Sequence, residues 1–303
     1  MGNETAADIT DEYQDIRKFA LFAGVAAVIV LYIQLLQNRK YWINMEVCLG
    51  VMYALSFPFS GVLSPYFMRE SDALTIYMCR LLIISFVAQA SAVYLTQESS
   101  DRTVPVAVSI TNILGRGPLL MTYFVAIYTD TFNVNHEISA YIDTAQTALL
   151  LFGDIYFMAK TKTRQYRSRT VGDPISFHLS IDALLTFFIG SLALGFPDMF
   201  CSLVSRGFQL RECHFFTLRG VAVLILSGSM LSFASLCYRD DKDAVNTLKI
   251  KLVVYLPALL NALTNMLIDS HFRTYGHAAI MVGVMGGLAI NAGSVVYRHG
   301  KED

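Results

Sequence analysis

Long apolar stretches alternate along the chain with short polar breaks, such as residues 37–40, 97–102 and 239–243. A helix crosses the ~30 Å hydrocarbon core of a bilayer with about 20 mostly apolar residues, because its backbone amides then bond internally. The pattern therefore predicts an all-α, multi-pass membrane protein with about nine transmembrane helices. The predicted helices cover residues 19–36, 42–68, 73–95, 104–128, 138–159, 177–204, 215–238, 248–268 and 277–297.

Composition narrows the class of protein further. Of the 303 residues, 54% are hydrophobic and 16% are charged, whereas soluble domains carry about 25% charged residues. The net charge of -1 provides no basic field, so we expect no nucleic-acid partner. The five cysteines lack the CxxC and Cys/His spacings of metal and haem sites, so we expect neither a metal nor another cofactor.

The distribution of Lys and Arg predicts how the chain lies in the membrane. Of the 23 basic residues, fourteen fall in alternate loops on one side and six on the other, and the basic loop 160–169 is the strongest anchor. Because basic loops remain cytosolic, we expect the N-terminus outside and the C-terminus in the cytosol, in the plasma membrane or an endomembrane. The outer tail then carries a candidate glycosylation site at Asn3.

The sequence repeats itself at an offset of 139 residues, which superposes residues 54–58 on residues 193–197. The same offset aligns residue types that are rare inside membranes: Arg80 with Arg219, Asp101 with Asp240, Pro118 with Pro257 and Asp130 with Asp269. We therefore expect two parallel four-helix repeats that start from the same side of the membrane. The predicted division is residues 1–41 for the tail and first helix, 42–160 for the first repeat, 161–175 for a basic cytosolic linker, and 176–303 for the second repeat and C-terminal tail.

An arginine inside a membrane span needs a partner, because a charge there costs at least ~2.5 kcal/mol. Arg80 follows the start of its predicted helix by seven residues, and Asp130 ends the next helix on the same outer side. We predict one ion pair in each repeat, Arg80 with Asp130 and Arg219 with Asp269. The pairs either hold two helices together or line a path for a solute, and the sequence leaves both interpretations open.

Four further acids fall in predicted spans. Glu46 and Asp182 lie about a turn from the cytosolic ends of their helices, where we expect water to hydrate them. Asp143 and Asp154 are eleven residues apart on one helix and share one face. With Arg116 they could form a polar path for a cation or proton, or the acids could pair with Arg116 inside the bundle.

Two features bear on how helices and chains associate. Residues 283–287 form a GxxxG pattern, which lets helix backbones approach closely, either within the bundle or between two copies in a homodimer. Cys201 and Cys213 flank one predicted outer loop. They are candidates for a loop-closing disulfide, with free thiols as the alternative.

The second repeat resembles a known family of small membrane proteins. Residues 193–198 read Ala-Leu-Gly-Phe-Pro-Asp and are followed by Arg219-Gly220 and three further spans. This arrangement is similar to the four-span proteins called tumour-suppressor-inducible protein eleven, and the likeness of the first repeat is weaker because Phe59 replaces the acid after the proline. The resemblance implies a four-helix membrane fold without catalytic activity, linked to stress signalling and proliferation, and it transfers no catalytic residue.

The chain lacks the sequence motifs of hydrolases, metalloproteases and nucleotide-binding sites. We therefore expect a non-enzymatic membrane protein that acts as a scaffold, accessory subunit or regulator, in contact with the lipid bilayer and with other membrane proteins. The alternative is a small-solute or ion transporter or channel, which the duplication, the matching prolines and the intramembrane charges favour. A membrane-embedded lipid enzyme with a dispersed site is a third hypothesis.

Overall fold

A computed structural model of the protein describes residues 28–68, 71–129, 131–132, 137–161 and 173–301. These residues are almost entirely helical, as the sequence predicts. The chain divides into two units, residues 1–45 and residues 46–303. In the first unit, the rings of Tyr32 and Trp42 meet edge to face at 5.9 Å. The second unit contains the polar groups considered below.

The helices follow one another with short connections. They are α1 (Val28–Gln37), α2 (Arg39–Ser56), α3 (Ser60–Phe67), α4 (Ala73–Thr96), α5 (Thr103–Tyr128), α6 (Glu137–Lys160), α7 (Pro174–Gly195), α8 (Pro197–Val204), α9 (Glu212–Ser235), α10 (Asp241–Ile268) and α11 (Tyr275–His299). A short 3-10 helix, Phe57–Phe59, joins α2 to α3, and another, Ser270–Phe272, follows α10. A π-helical segment, Ala278–Val284, lies within α11.

Seven helical segments in the described residues are long and apolar enough to cross a membrane: the Arg39–Ser64 segment, α4, α5, α7, α9, α10 and α11. The all-helical class is therefore confirmed, and these seven segments are consistent with a multi-pass membrane protein. α6 has 24 residues, about 36 Å at 1.5 Å per residue, but its acidic and basic side chains lower its hydropathy. α1 is a shorter apolar helix, so the predicted total of nine stays a prediction.

Proline marks two of the helix breaks. Because proline lacks a backbone N–H and its ring clashes with the preceding turn, a helix seldom continues through it undisturbed. The Phe57–Phe59 3-10 helix contains one such proline, and Pro197 begins α8 directly after α7 has ended at Gly195. Pro118 and Pro257 lie inside α5 and α10, which continue through them.

α9 is the most enclosed of the seven spans. Of the 18 residues in its most apolar stretch 67% are buried, compared with 17–50% in the other spans. It packs against α4, α5 and α7, while α10 packs against α4 and α11. Small residues allow this close packing: a Cβ atom on Gly115 of α5 would lie 2.8 Å from the hydroxyl oxygen of Ser227 on α9. The tight bundle brings polar groups from several helices together in its interior.

Candidate intramembrane polar site

Arg116 lies near the middle of α5 and binds acids from two other helices. Its guanidinium forms a bidentate pair with Glu46 of α2, at 3.0 and 3.2 Å, and also donates to Asp154 of α6 at 2.5 Å. Its Nε donates to the amide oxygen of Gln89 on α4, at 3.4 Å. The charged side chains are 1–5% exposed. We call Glu46, Arg116 and Asp154 the arginine cluster.

The arginine cluster contains one more acid than base. With every group ionised, two carboxylates and one guanidinium leave one negative charge in excess among side chains that are 1–5% exposed. Neither Glu46 nor Asp154 pairs with a second basic side chain among the described residues. An uncompensated buried charge costs several kcal/mol. One additional positive charge would balance the cluster, and a proton on one of the two acids is the smallest such charge.

A second group of buried charges lies between α7, α9 and α10. The ammonium of Lys251 is 2.9 Å from a carboxylate oxygen of Asp182 and donates to the Gly228 carbonyl at 2.8 Å. Asp182 also accepts hydrogen bonds from the hydroxyls of Ser232 and Tyr255. Asp182, Ser232, Lys251 and Tyr255 form the lysine cluster. Unlike the arginine cluster, it is balanced in charge.

An inner cavity of about 60 Å³ connects the surroundings of the two clusters. Its lining includes Gln89 and Asn112, which neighbour Arg116, and also Lys251 and Tyr255. The amide nitrogen of Gln89 is buried and has no hydrogen-bond partner within the part of the chain that the structure describes. Buried donors are normally satisfied, and a cavity of this volume accommodates a few water molecules or a small polar group. We call the two clusters, Gln89, Asn112 and this cavity the polar belt.

The structure separates the residues of the predicted polar path. Arg116 and Asp154 meet, as the pairing interpretation requires. Asp143 lies three turns away on α6 and lines a different pocket. The two acids of the predicted path thus belong to two neighbouring sites along α6, and only Asp154 contacts Arg116 of α5.

Glu46 and Asp182 correct one expectation. The sequence places both near cytosolic helix ends and suggests hydration, but each residue is only 2% exposed. The physical reason is that a basic side chain from another helix reaches each acid, Arg116 in one case and Lys251 in the other. Sequence distance from a helix end says nothing about such partners.

The first predicted ion pair is only partly within the described residues. Arg80 donates from Nε to the hydroxyl oxygen of Ser60 at 2.8 Å, and its guanidinium carbon lies 5.9 Å from the centroid of the Phe57 ring. Its predicted partner, Asp130, lies outside the described residues. The pairing of Arg80 with Asp130 therefore stays a prediction.

The second predicted ion pair does not form between these two described residues. The guanidinium of Arg219 lies over the Phe215 ring at 5.9 Å, and Asp269 pairs with His271 at 2.7 Å. The cause is local, because Asp269 caps the short helix Ser270–Phe272 and accepts the backbone N–H of His271. This hydrogen bond lowers the pKa of Asp269 below its usual value.

Two other candidate sites have different outcomes. Cys201 and Cys213 do not form a disulfide. Cys201 packs in one hydrophobic cluster and Cys213 in another, where the Thr75 hydroxyl contacts its sulfur at 3.6 Å. The glycosylation candidate Asn3 lies outside the described residues.

Lys251 and Tyr255 are functional candidates that the sequence interpretation missed. A signal was present: the 139-residue offset carries Asn112 onto Lys251 and Arg116 onto Tyr255. Asn112 and Arg116 are four positions apart on α5, so their side chains share a helix face, and the same holds for Lys251 and Tyr255 on α10. The offset applied to Arg116 alone would have pointed to the second cluster.

A further polar contact joins Asp72, which precedes α4, to His214 in the first turn of α9. Asp72 accepts the backbone N–H of Thr75 at 2.8 Å, and both of its oxygens lie 3.0 Å from His214 Nε2. Because His214 Nδ1 accepts the backbone N–H of Arg211, its Nε2 carries the proton and donates to Asp72. Burial by itself raises the pKa of Asp72, but the hydrogen bonds from His214 and Thr75 outweigh burial and lower the pKa to about 2.

Comparison with known proteins gives one match. A protein-family model described as a domain of unknown function (DUF8292) matches residues 43–297. The match spans both clusters and every helix from α3 to α10. No curated protein and no solved structure matches the chain.

Proposed function

The chain belongs to this family of unknown function, DUF8292, and we propose from the geometry of its polar belt that it is a proton-binding membrane carrier for a small solute. The arginine cluster holds the proton, and the inner cavity and lysine cluster extend the polar route between the helices. One observation carries the proposal: Glu46 and Asp154 share Arg116, with side chains 1–5% exposed.

The excess acid distinguishes a proton site from a purely structural ion pair. Lys251 and Asp182 illustrate the structural case, since one base neutralises one acid. A second acid beside an arginine that is already paired adds desolvation cost without a second base. Ionisable groups inside membranes commonly mark proton relays and solute pathways. The unequal composition of the arginine cluster therefore favours proton exchange.

Polar groups also extend from the arginine cluster along α6. Asp143 and Asp154 are eleven residues apart, about 16 Å along a helix axis. Between them, the amide of Gln146 donates to the hydroxyl of Tyr53 on α2 at 2.9 Å. These groups offer successive stations for a proton or a polar solute, and they support a route rather than an isolated contact.

We infer that the bundle is a tandem repeat, and the helix bounds support this inference. Moving Ala73–Thr96 by the 139-residue offset gives residues 212–235, which are the bounds of α9. Moving Thr103–Tyr128 gives residues 242–267, within one residue of α10 at each end. Glu137–Lys160 becomes residues 276–299, which matches α11 to within one residue.

Reciprocal contacts support a two-fold relation between the repeats. Asp101 accepts the backbone N–H of Arg239, and Asp240 accepts the hydroxyl of Ser100, both at 3.1 Å. The offset exchanges these two contacts, since it carries 100 to 239 and 101 to 240. A two-fold axis along the membrane normal produces such exchange, and duplicated carriers often place their solute route at the interface of the repeats. The inner cavity lies at this interface, because its lining includes offset partners such as Asn112 and Lys251.

We further propose nine spans, with α1 and α6 added to the seven apolar ones. The N-terminus is then outside and the C-terminus is cytosolic, because the Lys- and Arg-rich loops face the cytosol. The length of α6, 24 residues, supports its inclusion. The polar side chains of α6 face partners in the bundle, such as Arg116 and Tyr53, and this explains why its hydropathy is low.

A scaffold or accessory subunit is the second candidate. The bidentate contact of Arg116 with Glu46 joins α5 to α2, and the contact of Lys251 with Asp182 joins α10 to α7. Both contacts fit a role in holding helices together. The resemblance of the second repeat to tumour-suppressor-inducible protein eleven also favours this candidate and stays a prediction. A scaffold, however, does not require the excess acid.

Proton flux into liposomes tests the carrier directly. Full-length protein is reconstituted with a pH-sensitive dye inside, and the outside is acidified with the membrane potential clamped. We expect faster internal acidification than in protein-free liposomes, and the Glu46→Gln/Asp154→Asn double variant to lose most of the difference. Glu98→Gln, which changes an exposed acid between α4 and α5, is the control and retains the wild-type rate. Wild-type protein that performs no better than empty liposomes contradicts the carrier and favours the scaffold.

A further inference from the structure

A larger pocket, of about 310 Å³, lies between α2, α3, α4, α5, α6 and α9. Its walls are rich in aromatic rings. Tyr53 and Phe86 stack at 4.7 Å between centroids, and Tyr123, Phe132 and Phe216 form a cluster with centroid distances of 5.2 to 6.3 Å. We call this space the aromatic pocket. A volume of this size fits a small drug-like or metabolite-sized molecule.

Asp143 supplies the one formal charge in the described lining of the aromatic pocket. It is partly buried, and no basic side chain among the described residues forms an ion pair with it. The other polar side chains on the walls are neutral and include Gln146, Tyr53 and Ser60. Arg80 reaches the hydroxyl of Ser60 from outside the lining, so a positive ligand group is attracted toward Asp143 and repelled from the Ser60 wall.

We propose that the aromatic pocket binds a small organic ammonium ion with an aromatic or alkyl body. The ammonium pairs with Asp143, and the apolar body packs against the rings. Aromatic faces attract cations, and a carboxylate in an apolar wall gains most from a partner that brings its own positive charge. The proposal deepens the proposed function by naming the solute class, but binding to this pocket does not require transport.

Other ligand classes fit the pocket less well. An anion would be repelled by the carboxylate of Asp143, the one formal charge in the described lining. A divalent metal needs several oxygen, nitrogen or sulfur ligands, and no group of three or more His, Cys, Asp or Glu side chains is close enough for this in the described part of the chain. A neutral apolar ligand would leave the carboxylate buried and unpaired. The ammonium ion alone satisfies both the charge and the rings.

Calorimetric titration of the full-length protein in lipid nanodiscs tests the proposal, with 2-phenylethylammonium as the probe. We expect Asp143→Asn to weaken binding by ~10-fold or more, because a hydrogen bond to a charged group is worth roughly 1.5–3 kcal/mol. Glu98→Gln, which changes an exposed acid between α4 and α5, is the control and retains wild-type affinity. The neutral analogue 2-phenylethanol should bind more weakly than the amine and equally to the wild type and Asp143→Asn.

A second variant keeps the test decisive if Asp143→Asn does not fold. Met52 lines the pocket and is 66% exposed, so Met52→Trp fills the rim without changing the charge and should lower the affinity of the amine. Equal binding of the amine to wild type and Asp143→Asn, or absence of binding to the wild type, overturns the proposal. Neither result bears on the proton of the arginine cluster, which the proposed function assigns to Glu46 and Asp154.

The lipid composition of the nanodiscs distinguishes two sources of the ammonium group. Discs of phosphatidylglycerol alone contain no lipid amine, whereas phosphatidylethanolamine presents one. A lower affinity for the probe in discs with phosphatidylethanolamine identifies the lipid headgroup as a competing occupant. Equal affinity in both kinds of disc identifies a free amine as the ligand. Both results retain the ammonium site at Asp143.

Discussion

Buried acids in the polar belt differ in how their charge is offset. Asp182 forms an ion pair with Lys251, whereas Glu46 and Asp154 both pair with the guanidinium of Arg116. In a low-dielectric interior the first arrangement is neutral when ionised, and the second is neutral only when a proton is added. The proposed function therefore gives the same type of side chain a structural role in one cluster and an exchangeable proton in the other.

Matched substitutions separate these roles by stability. Asp154→Asn removes the excess charge and leaves Arg116 paired with Glu46, so we expect a change within ~1 kcal/mol. Asp182→Asn leaves the ammonium of Lys251 buried without a counter-charge, and we expect a loss of about 3–5 kcal/mol. Unfolding of the detergent-solubilised variants measures both. A large loss for Asp154→Asn would mean that both acids of the arginine cluster are ionised and needed.

Asp72 predicts a dependence of stability on acid pH. Its pKa is lowered to about 2 in the folded protein, from an ordinary value of 3.8. A group whose pKa is depressed by folding stabilises the fold above its unfolded pKa, and the contribution is lost as the pH falls through the folded pKa. We therefore expect stability to decline between about pH 4 and pH 2.

Comparison with a variant isolates this effect from other titrating groups, including His214, which faces Asp72 from α9. Asp72→Asn should be less stable than the wild type at pH 5, and the difference should shrink by pH 3. Thermal unfolding in detergent over this range measures the difference. If the difference in stability between the wild type and Asp72→Asn stays constant from pH 5 to pH 3, groups other than Asp72 cause the acid sensitivity.

Residues of the candidate site were predictable from the sequence where a charged residue fell inside a predicted span, because such residues are rare there. Arg116 and Asp154 drew attention because charges are rare in spans, and the structure pairs them. Glu46 was misread, because proximity to a helix end suggested hydration while its partner lies 70 positions away along the chain. Asp269 was assigned to Arg219, but a cap in its own loop engages it. Contacts with distant residues and helix caps in loops produce no periodic pattern in a single sequence, so they could not be predicted from it.

The bounds of a helix were predictable from the sequence where the whole helix is apolar, because contact with lipid requires apolar side chains. The predicted spans 73–95 and 104–128 agree with α4 and α5 to within one residue at each end. The predicted span 248–268 begins seven residues late, because the polar first turns of α10 are helical but not apolar. Hydropathy marks the part of a helix in the membrane, whereas backbone hydrogen bonds determine the helix itself.

Contact between α5 and α9 predicts the effect of an added methyl group. Gly115→Ala would place a Cβ atom 2.8 Å from Ser227 Oγ and 3.0 Å from Gln89 Nε2, so we expect a loss of about 1–3 kcal/mol. Gly287→Ala in α11, where a Cβ meets nothing within 4 Å, is the control and should be neutral or stabilising, since alanine favours helix by ~1 kcal/mol. Unfolding in detergent compares them, and equal effects would contradict the close α5–α9 contact.

At the scale of the whole molecule, the sequence offset anticipated more than composition did. Hydropathy alone predicts a membrane protein, while the offset also proposes how its halves correspond. The crossing contacts of Asp101 with Arg239 and of Asp240 with Ser100 agree with that proposal. The two proposed halves nevertheless differ in their buried charges. The first carries Arg116 and an excess acid, and the second carries Tyr255 and a balanced pair.

Orientation is testable on intact cells with single cysteines. Glu98 and Arg206 are exposed residues in loops that we assign to opposite faces. In a background without native cysteines, a membrane-impermeant maleimide should label Arg206→Cys in intact cells and label Glu98→Cys only after permeabilisation. The reverse pattern would invert the proposed orientation, and labelling of both before permeabilisation would contradict the number of spans between them.

Infrared spectroscopy of the carboxyl groups tests the central claim, that the arginine cluster holds a proton, most directly. At neutral pH we predict that the wild-type protein contains a protonated carboxyl signal that disappears in both Glu46→Gln and Asp154→Asn and persists in Asp182→Asn. If the two arginine-cluster variants instead lose only an ionised carboxylate signal and retain every protonated one, the cluster carries no exchangeable proton and the carrier proposal fails.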